Sequence, residues 1–395
     1  MILNLRSLYL STEEYSWMDT AIYIIATATI IVMMFMRRRI AAYSLKMYLT
    51  VLIITTVYLI SFYFINQYDF SAFCKYLITV IIVLLYCFST NGSFDSTMAK
   101  YCNLVEIIAF VSLFFWIFGS LLHIIPATGT VMSGWTGGNG FRACDSYFNI
   151  YFETQIQFIP GFGSIIRNTA IFTEAPMASF VFLLAYLYRI YLGKKNKKSR
   201  IILLIVAVIS TLSIAGISLL IISTGLLYIS QRTSTNTEQV LKVIIAPIII
   251  VAGTVAVISV VGTKLTLSSG LTRMDDIQAG YMAWRNSPII GNGFGNTQSY
   301  QHYMSNFRIT NRGFSNSIFQ ILAYGGIYLF LPYFVCIIKN IYSCLHNQRY
   351  NLLFFFIMFL TMFAITIVPF QMLTIYIFVS LTLFFSSNEE KRRAL

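Results

Sequence analysis

Charge is what this chain has least of. Asp, Glu, Lys and Arg supply only 10% of its 395 residues, against about 25% in ordinary soluble domains. With 57% hydrophobic residues, that scarcity excludes a soluble globular enzyme and a disordered chain. Histidine is nearly absent, with three in all, and no CxxC or HxxxH spacing suggests a metal site. Six cysteines without framework spacing exclude a disulfide scaffold. Internal repeats and low-complexity tracts are also missing. What remains is a polytopic membrane protein. Its few charges are strongly basic: 27 Lys+Arg stand against 14 Asp+Glu, a net +13. A basic chain often binds nucleic acid, but membrane topology is a second cause.

Crossing a bilayer takes roughly 20 apolar residues. Such runs fall near 18–36, 47–66, 71–90, 104–125, 168–191, 243–262, 315–338, 350–368 and 371–386. The stretch 201–230 is too long for one span and short for two. Arg37-Arg38-Arg39 after the first span marks a cytoplasmic end. Two crossings through 201–230, turning near Gly216, then keep every basic cluster inside, Lys391-Arg392-Arg393 included.

The expected fold is therefore an all-α polytopic integral membrane protein. It has about 11 transmembrane helices and two large external loops, with its N-terminus outside and C-terminus inside. The parts are a four-span bundle (1–125), a first long loop (126–167) and central spans (168–262) with the hairpin 201–230. A second long loop (263–314) and three C-terminal spans with a basic tail (315–395) follow. No cleavable signal is expected, because the basic cluster follows the first apolar run. Only Cys144 lies outside, so no external disulfide can form within the chain.

Eighteen of the basic residues then lie inside, against four acids. Outside are Arg6, Arg142, Arg167, Lys264, Arg273, Arg285, Arg308 and Arg312, against nine acids. The basic balance is topology, and no nucleic-acid partner is expected. The external cations are nearly all arginine, which grips phosphate or carboxylate bidentately. Pairing with Asp145, Glu153, Asp275 or Asp276 would account for any single one. As a set they point to an anionic ligand. External aromatics such as Trp284 suit either sugar stacking or the interfacial belt. The 146–159 stretch reads as an interfacial helix. Charge within spans is sparse: Lys75, and Glu106 near an end.

The second loop carries Arg273-Met274-Asp275-Asp276, then Trp284-Arg285-Asn286-Ser287-Pro288-Ile289-Ile290-Gly291-Asn292-Gly293-Phe294-Gly295. Pro288 stops the preceding helical pattern. The alternate glycines allow either a turn whose N–H groups hold phosphate or a plain loop cap. Arg312-Gly313-Phe314-Ser315-Asn316 then opens a span that reaches Gly325-Gly326. This succession resembles the O-antigen polymerase and O-antigen ligase superfamily, membrane glycosyltransferases that use lipid-linked sugars. Arg167-Asn168 with Phe172-Thr173-Glu174-Ala175-Pro176 is similar to a further string of that family, loosened by Ala175. Thr211-Leu212-Ser213-Ile214-Ala215-Gly216 is similar to the break in its central hairpin. The resemblance covers residues 165–340. Ser315 stands where the ligase branch has a His, which favours the polymerase branch.

The resemblance implies a reaction at the periplasmic face of the bacterial inner membrane. A growing glycan passes from undecaprenyl pyrophosphate to an incoming lipid-linked repeat unit, without metal or other cofactor. Membrane lipids and a chain-length regulator are the further partners it suggests. Charge building on the leaving phosphate needs fixed cations, and the attacking hydroxyl needs a base. The expected catalytic residues are Arg273, Arg285 and Arg312, with Glu174 as base. Glu153, Asp275, Asp276 and His302 are other candidates for the base. Expected substrate contacts are Arg167, Arg142, Gly291, Gly293, Gly295, Asn316, Trp284 and His302. A structural ion pair between Glu174 and Arg167 competes with the base role. The rival functions are a ligase acting on lipid A core and a polysaccharide lipid flippase or transporter; transporters usually place functional charges at mid-membrane.

Overall fold

The computed structural model describes residues 1–12, 17–36, 42–90, 93–134, 142–159, 163–193, 197–230, 270–308 and 312–393, with isolated positions between 231 and 269. Nearly all of the expected span 243–262, together with Lys264 and the Arg37-Arg38-Arg39 run, lies outside the described residues.

Four helices come first: α1 (Trp17–Met36), α2 (Ala42–Ile65), α3 (Phe70–Ser89) and α4 (Phe94–Phe115). A π-helical stretch, Trp116–Leu121, prolongs α4. Then follow α5 (Ala175–Tyr191), α6 (Lys198–Ser210), α7 (Ile214–Ser230), α8 (Leu271–Asn286), α9 (Ser317–His346), α10 (Tyr350–Ile365) and α11 (Met372–Arg393). Five stretches, in α1 to α4 and α9, are long and apolar enough to cross a membrane. Four shorter apolar helices, α5, α7, α10 and the start of α11, accompany them. The protein is mainly helical and membrane-embedded.

Helix α5 is the centre of the bundle. Every one of its residues except Pro176 and Ile190 is buried, as expected for a helix that is apolar all round. It packs on α4, α6, α7 and α10. Away from the loops, Arg189 of α5 donates to Glu106 (2.7 Å) and Asn103 (2.7 Å). Arg200 reaches the same carboxylate at 3.3 Å. This cluster, buried at Arg189 and Glu106 and exposed at Arg200, ties α4, α5 and α6. Lys75 is not a mid-membrane charge: it sits in the second turn of α3 and donates to Asp19 at 2.8 Å.

The hairpin expected at 201–230 is present, with its break at Thr211–Ser213, slightly before Gly216. Leu212 takes a left-handed φ of 50° there. The first long loop differs from expectation. In place of an interfacial helix at 146–159 it forms strands. β1 (Gly129–Ser133), β2 (Arg142–Tyr147) and β3 (Tyr151–Phe152) make an antiparallel sheet, and β4 (Ile156–Ile159) pairs with β5 (Gly163–Ile166). The physical reason is period-two burial. Cys144 and Ser146 point inward while Ala143 and Asp145 face out, a strand alternation.

One end of the bundle gathers the connecting segments. Asn66, after α2, donates to the carbonyls of Ile290 (2.7 Å) and Gly291 (2.9 Å). Asn4 accepts from Met372 N at 3.0 Å, and Ser317 Oγ accepts from Val368 N at 2.9 Å. The Gly-rich segment docks on a break in α9. Gly326 has non-helical angles (φ 58°, ψ −155°), so the helix loses its own ladder there. Pro288 O and Ile289 O accept from Ile327 N (2.8 Å) and Tyr328 N (2.9 Å). Asn292 N and Gly293 N donate to Ala323 O (2.9 Å) and Tyr324 O (3.1 Å). Gly325-Gly326 is thus a helix break and not the end of the span.

Gly291, at φ 69°, lies where a Cβ would be 2.4 Å from Gly325 N and 2.5 Å from the Tyr324 carbonyl carbon. Backbone cannot yield as a side-chain tip can. A Gly291→Ala variant is therefore expected to lose about 2 kcal/mol or more. Gly270→Ala, which meets nothing within 4 Å, is expected to stay within about 0.5 kcal/mol. Thermal unfolding of the detergent-solubilised protein checks the pair. Equal melting temperatures would refute the docking account.

Candidate functional site

Three segments distant in sequence meet at the loop end of α5. Residues Arg6 to Leu8 run against 171–173: Leu8 N donates to Ile171 O at 2.8 Å, and Thr173 N donates to Arg6 O at 3.1 Å. Arg6 sits in a left-handed conformation (φ 51°) that turns its side chain to Glu174. Its Nη1 is 3.4 Å from Glu174 Oε1, with both side chains 19% exposed. Glu174 occupies the N-cap of α5 in extended backbone. A carboxylate there is favoured by the helix N-terminus.

Arg167 and Asn168 dock into the α6–α7 break. Arg167 Nε donates to Thr211 O (2.8 Å) and its Nη2 to Leu212 O (3.3 Å). These carbonyls at the end of α6 would otherwise lack partners. Asn168 donates to Ser210 Oγ at 2.9 Å. Burial lowers the Arg167 pKa to about 10, against the opposing field of Glu174. Burial also lowers that of Arg6, again opposed by Glu174. The ion pair expected between Glu174 and Arg167 is thus replaced by one with Arg6. Arg167 remains close enough for its charge to be felt.

The third segment is α8. Arg273 is half-buried and stands within the fields of both Asp276 and Glu174. Among the described residues nothing accepts a hydrogen bond from its guanidinium. It lines a cleft with Pro176 and Ser179 of α5, Ser213 and Gly216 of the hairpin, and Thr366 after α10. A cluster of three arginines, one of them without a partner among the described residues, and one partly exposed carboxylate can hold a phosphate and accept a proton nearby. Neither a protein-family model, nor a curated protein, nor a solved structure matches this chain.

The structure thus brings together Arg167, Glu174 and Arg273, and adds Arg6. Sequence reasoning counted Arg6 outside the membrane but gave it no role, since it lies 168 positions from Glu174. The other expected residues stand elsewhere or do other work. Arg142, on β2, and Arg285 and Arg312 are exposed, with no ion pair among the described residues. Trp284 donates from Nε1 to Pro288 O at 3.1 Å, which braces the Gly-rich turn. Asn316 caps α9 by accepting from Phe319 N at 3.0 Å. His302 is exposed, its ring edge-on to Tyr303. Gly291 and Gly293 have their N–H groups bound to Ser287 O (2.9 Å) and Tyr324 O (3.1 Å). Gly295 packs against Asp69 and Ala72. The glycine turn therefore does not offer these N–H groups to a phosphate. Among the described residues no group of three His, Cys, Asp or Glu is placed to hold a metal ion.

The remaining candidate bases are engaged. Glu153 accepts from Ser120 Oγ (2.7 Å) and Tyr147 OH (2.8 Å) under the first sheet. Asp275 and Asp276 share Arg308, at 3.3 and 2.8 Å. Arg308 is only 2% exposed, and its Nη1 also donates to Thr272 O at 3.1 Å. Asp276 further accepts from Ser315 N (3.0 Å) and Ser315 Oγ (2.6 Å). Burial raises the Asp276 pKa, while Ser315 and Arg308 pull it back. This network locks α8 to the start of α9. Removing one partner of a buried ion pair leaves uncompensated charge. Arg308→Gln should therefore lower stability by about 3–5 kcal/mol. Adding Asp275→Asn and Asp276→Asn should recover part of that. Melting of the single and triple variants measures it. A single variant as stable as the parent would contradict the network.

Proposed function

We propose that the protein is an O-antigen-type polysaccharide polymerase, a membrane glycosyltransferase that uses lipid-linked sugars. In this reading the loop end of the bundle faces the periplasm across a bacterial inner membrane. The chain crosses it 11 times, with the N-terminus outside and the C-terminus inside. The observation that carries the reading is Arg273, a half-buried guanidinium without a hydrogen-bond partner among the described residues. It lines a cleft and stands within the field of Glu174, the carboxylate that pairs with Arg6 and is also felt by Arg167. A buried cation keeps such a position at a cost unless a ligand anion completes it.

The chemistry follows from that arrangement. The donor pyrophosphate sits against Arg273, which stabilises charge on the departing oxygen more strongly than it would in water. The bond from sugar C1 to that oxygen breaks. A bond from C1 to the acceptor hydroxyl oxygen forms, and the hydroxyl proton passes to Glu174. Arg6 and Arg167 fix the carboxylate and the phosphate relative to each other. Undecaprenyl pyrophosphate leaves, and the chain is longer by one repeat unit. A chain-length regulator is the protein partner that this reading implies.

Deleting the gene in its host should leave lipopolysaccharide with a single repeat unit on the core. Bare core with accumulated lipid-linked polymer would instead indicate a ligase. Bare core with repeat units trapped inside would indicate a flippase. At equal protein level, Arg273→Ala should lower the polymerisation rate by about two orders of magnitude or more. Glu174→Gln should also impair it. Arg285→Ala and Arg312→Ala should restore near-normal chain lengths. Normal polymer from Arg273→Ala would sink this assignment of the site.

A further inference from the structure

The first four N–H groups of a helix have no partner within it and must find one elsewhere. A polar side chain at the N-cap usually supplies one. Two helices of the bundle follow that rule. Asp69 accepts from Ala72 N at 3.0 Å at the start of α3. Asn316 accepts from Phe319 N at 3.0 Å at the start of α9. Helix α5 does not follow it. Glu174 holds its N-cap, yet the carboxylate accepts nothing from the helix.

The N–H groups of α5 are closed by other means. Pro176 has none to offer. Met177 N (3.1 Å) and Ala178 N (3.2 Å) donate to the Glu174 carbonyl. Ala175 is fully buried, and its N–H donates to Gln155 Oε1 at 2.9 Å. No N–H of this first turn is left for the Glu174 side chain. Because Ala175 N can only donate, the atom facing it is the amide oxygen of Gln155. Gln155 reaches the helix from the β4–β5 hairpin. It stands just before β4, opposite Arg167 just after β5, and its own carbonyl accepts from Arg167 N at 3.0 Å. The open end of one hairpin thus carries both Arg167 and the group that closes α5.

We propose that Gln155 is a positioning residue for Glu174. A buried N–H left open draws an acceptor, and the Glu174 carboxylate is one residue away. By closing the Ala175 N–H from outside the helix, Gln155 removes that pull. The carboxylate is then free to meet Arg6 at 3.4 Å, in range of Arg167 and Arg273. The hairpin also sets Arg167 and Glu174 in one frame, since a single residue holds the backbone of the first and the helix of the second. That Glu174 then acts as the base rests on the polymerase reading above. That Gln155 keeps it off its own helix does not.

Turnover and stability of the full-length protein test this. The substrate is the lipid-linked repeat unit extracted from the deletion strain, supplied in proteoliposomes. Gln155→Met keeps the side-chain length and replaces the oxygen with a much weaker acceptor. It should lower kcat about tenfold, with KM within about twofold. Gln155→Glu keeps an oxygen at the same place and should recover most of the rate. In a Glu174→Gln background, Gln155→Met should cost no more than about twofold, because the carboxylate it acts through is gone. Gln155→Asn withdraws the oxygen by one carbon and reads the same loss if the methionine variant does not fold. A second readout needs no polymer. In thermal melting, the coupling between Arg6→Gln and Glu174→Gln should be lost in the Gln155→Met background. Parental kcat in a folded Gln155→Met protein would overturn the positioning role and leave the polymerase reading intact. So would an equal loss with and without the Glu174 carboxylate, or an unchanged coupling to Arg6. Coupling lost as expected, in a chain whose deletion leaves polysaccharide length unchanged, would support the positioning and remove the polymerase reading.

Discussion

A helix that breaks inside a membrane protein must find partners for the backbone groups it frees. That requirement organises the loop end of this molecule. At Gly326 helix α9 gives up its own ladder, and residues 288–293 take its place with two accepted and two donated hydrogen bonds. The Gly-rich segment and the Gly-Gly pair are two halves of one junction. Neither half works with side chains, because the backbones approach to distances that no Cβ permits. Once joined, they fix where α8 ends, and therefore where Arg273 can stand.

The same requirement recurs at the α6–α7 break. There the carbonyls of Thr211 and Leu212 are satisfied by the side chain of Arg167, and Asn168 bridges Ser210 to its own loop. An arginine can close a helix end and still bring its charge within range of Glu174. Broken helices thus bring polar groups below the ends of their neighbours without exposing bare backbone to lipid. The central α5 supplies the third element, with Glu174 at its N-terminus and an apolar body on which the other helices rest.

Much of this was legible in the sequence, and the limits follow from distance along the chain. Hydropathy located the described apolar helices, and charge placed a hairpin at 201–230, because both signals are local. Pro288 and the alternate glycines announced a turn, yet gave no sign of what its N–H groups would bind, since the partner lies some 30 residues on in α9. The arginines of the second loop looked alike in the sequence. Only the fold separates Arg308, sunk between two carboxylates, from Arg273 in the cleft and from the exposed Arg285 and Arg312. Arg6 had no local context at all. The strands at 142–166 were missed because mixed aromatic and polar residues fit an interfacial helix as well, and the period-two burial is visible only once a second strand lies alongside.

The state of Arg273 depends on what its neighbours already hold. Asp276 lies one helical turn away on α8, the spacing at which an arginine and an aspartate readily pair. It is drawn instead to Arg308, which is more deeply buried, and to Ser315. Glu174, the other carboxylate in range, is held by Arg6. With both acids occupied, Arg273 lines the cleft with no hydrogen-bond acceptor for its guanidinium among the described residues. Under the proposed function, a guanidinium kept apart from its own acids would need little rearrangement to receive an anion, and such preorganisation is where fixed charge is most effective in catalysis. Arg308 and Arg6 therefore contribute to the cleft through the acids they occupy.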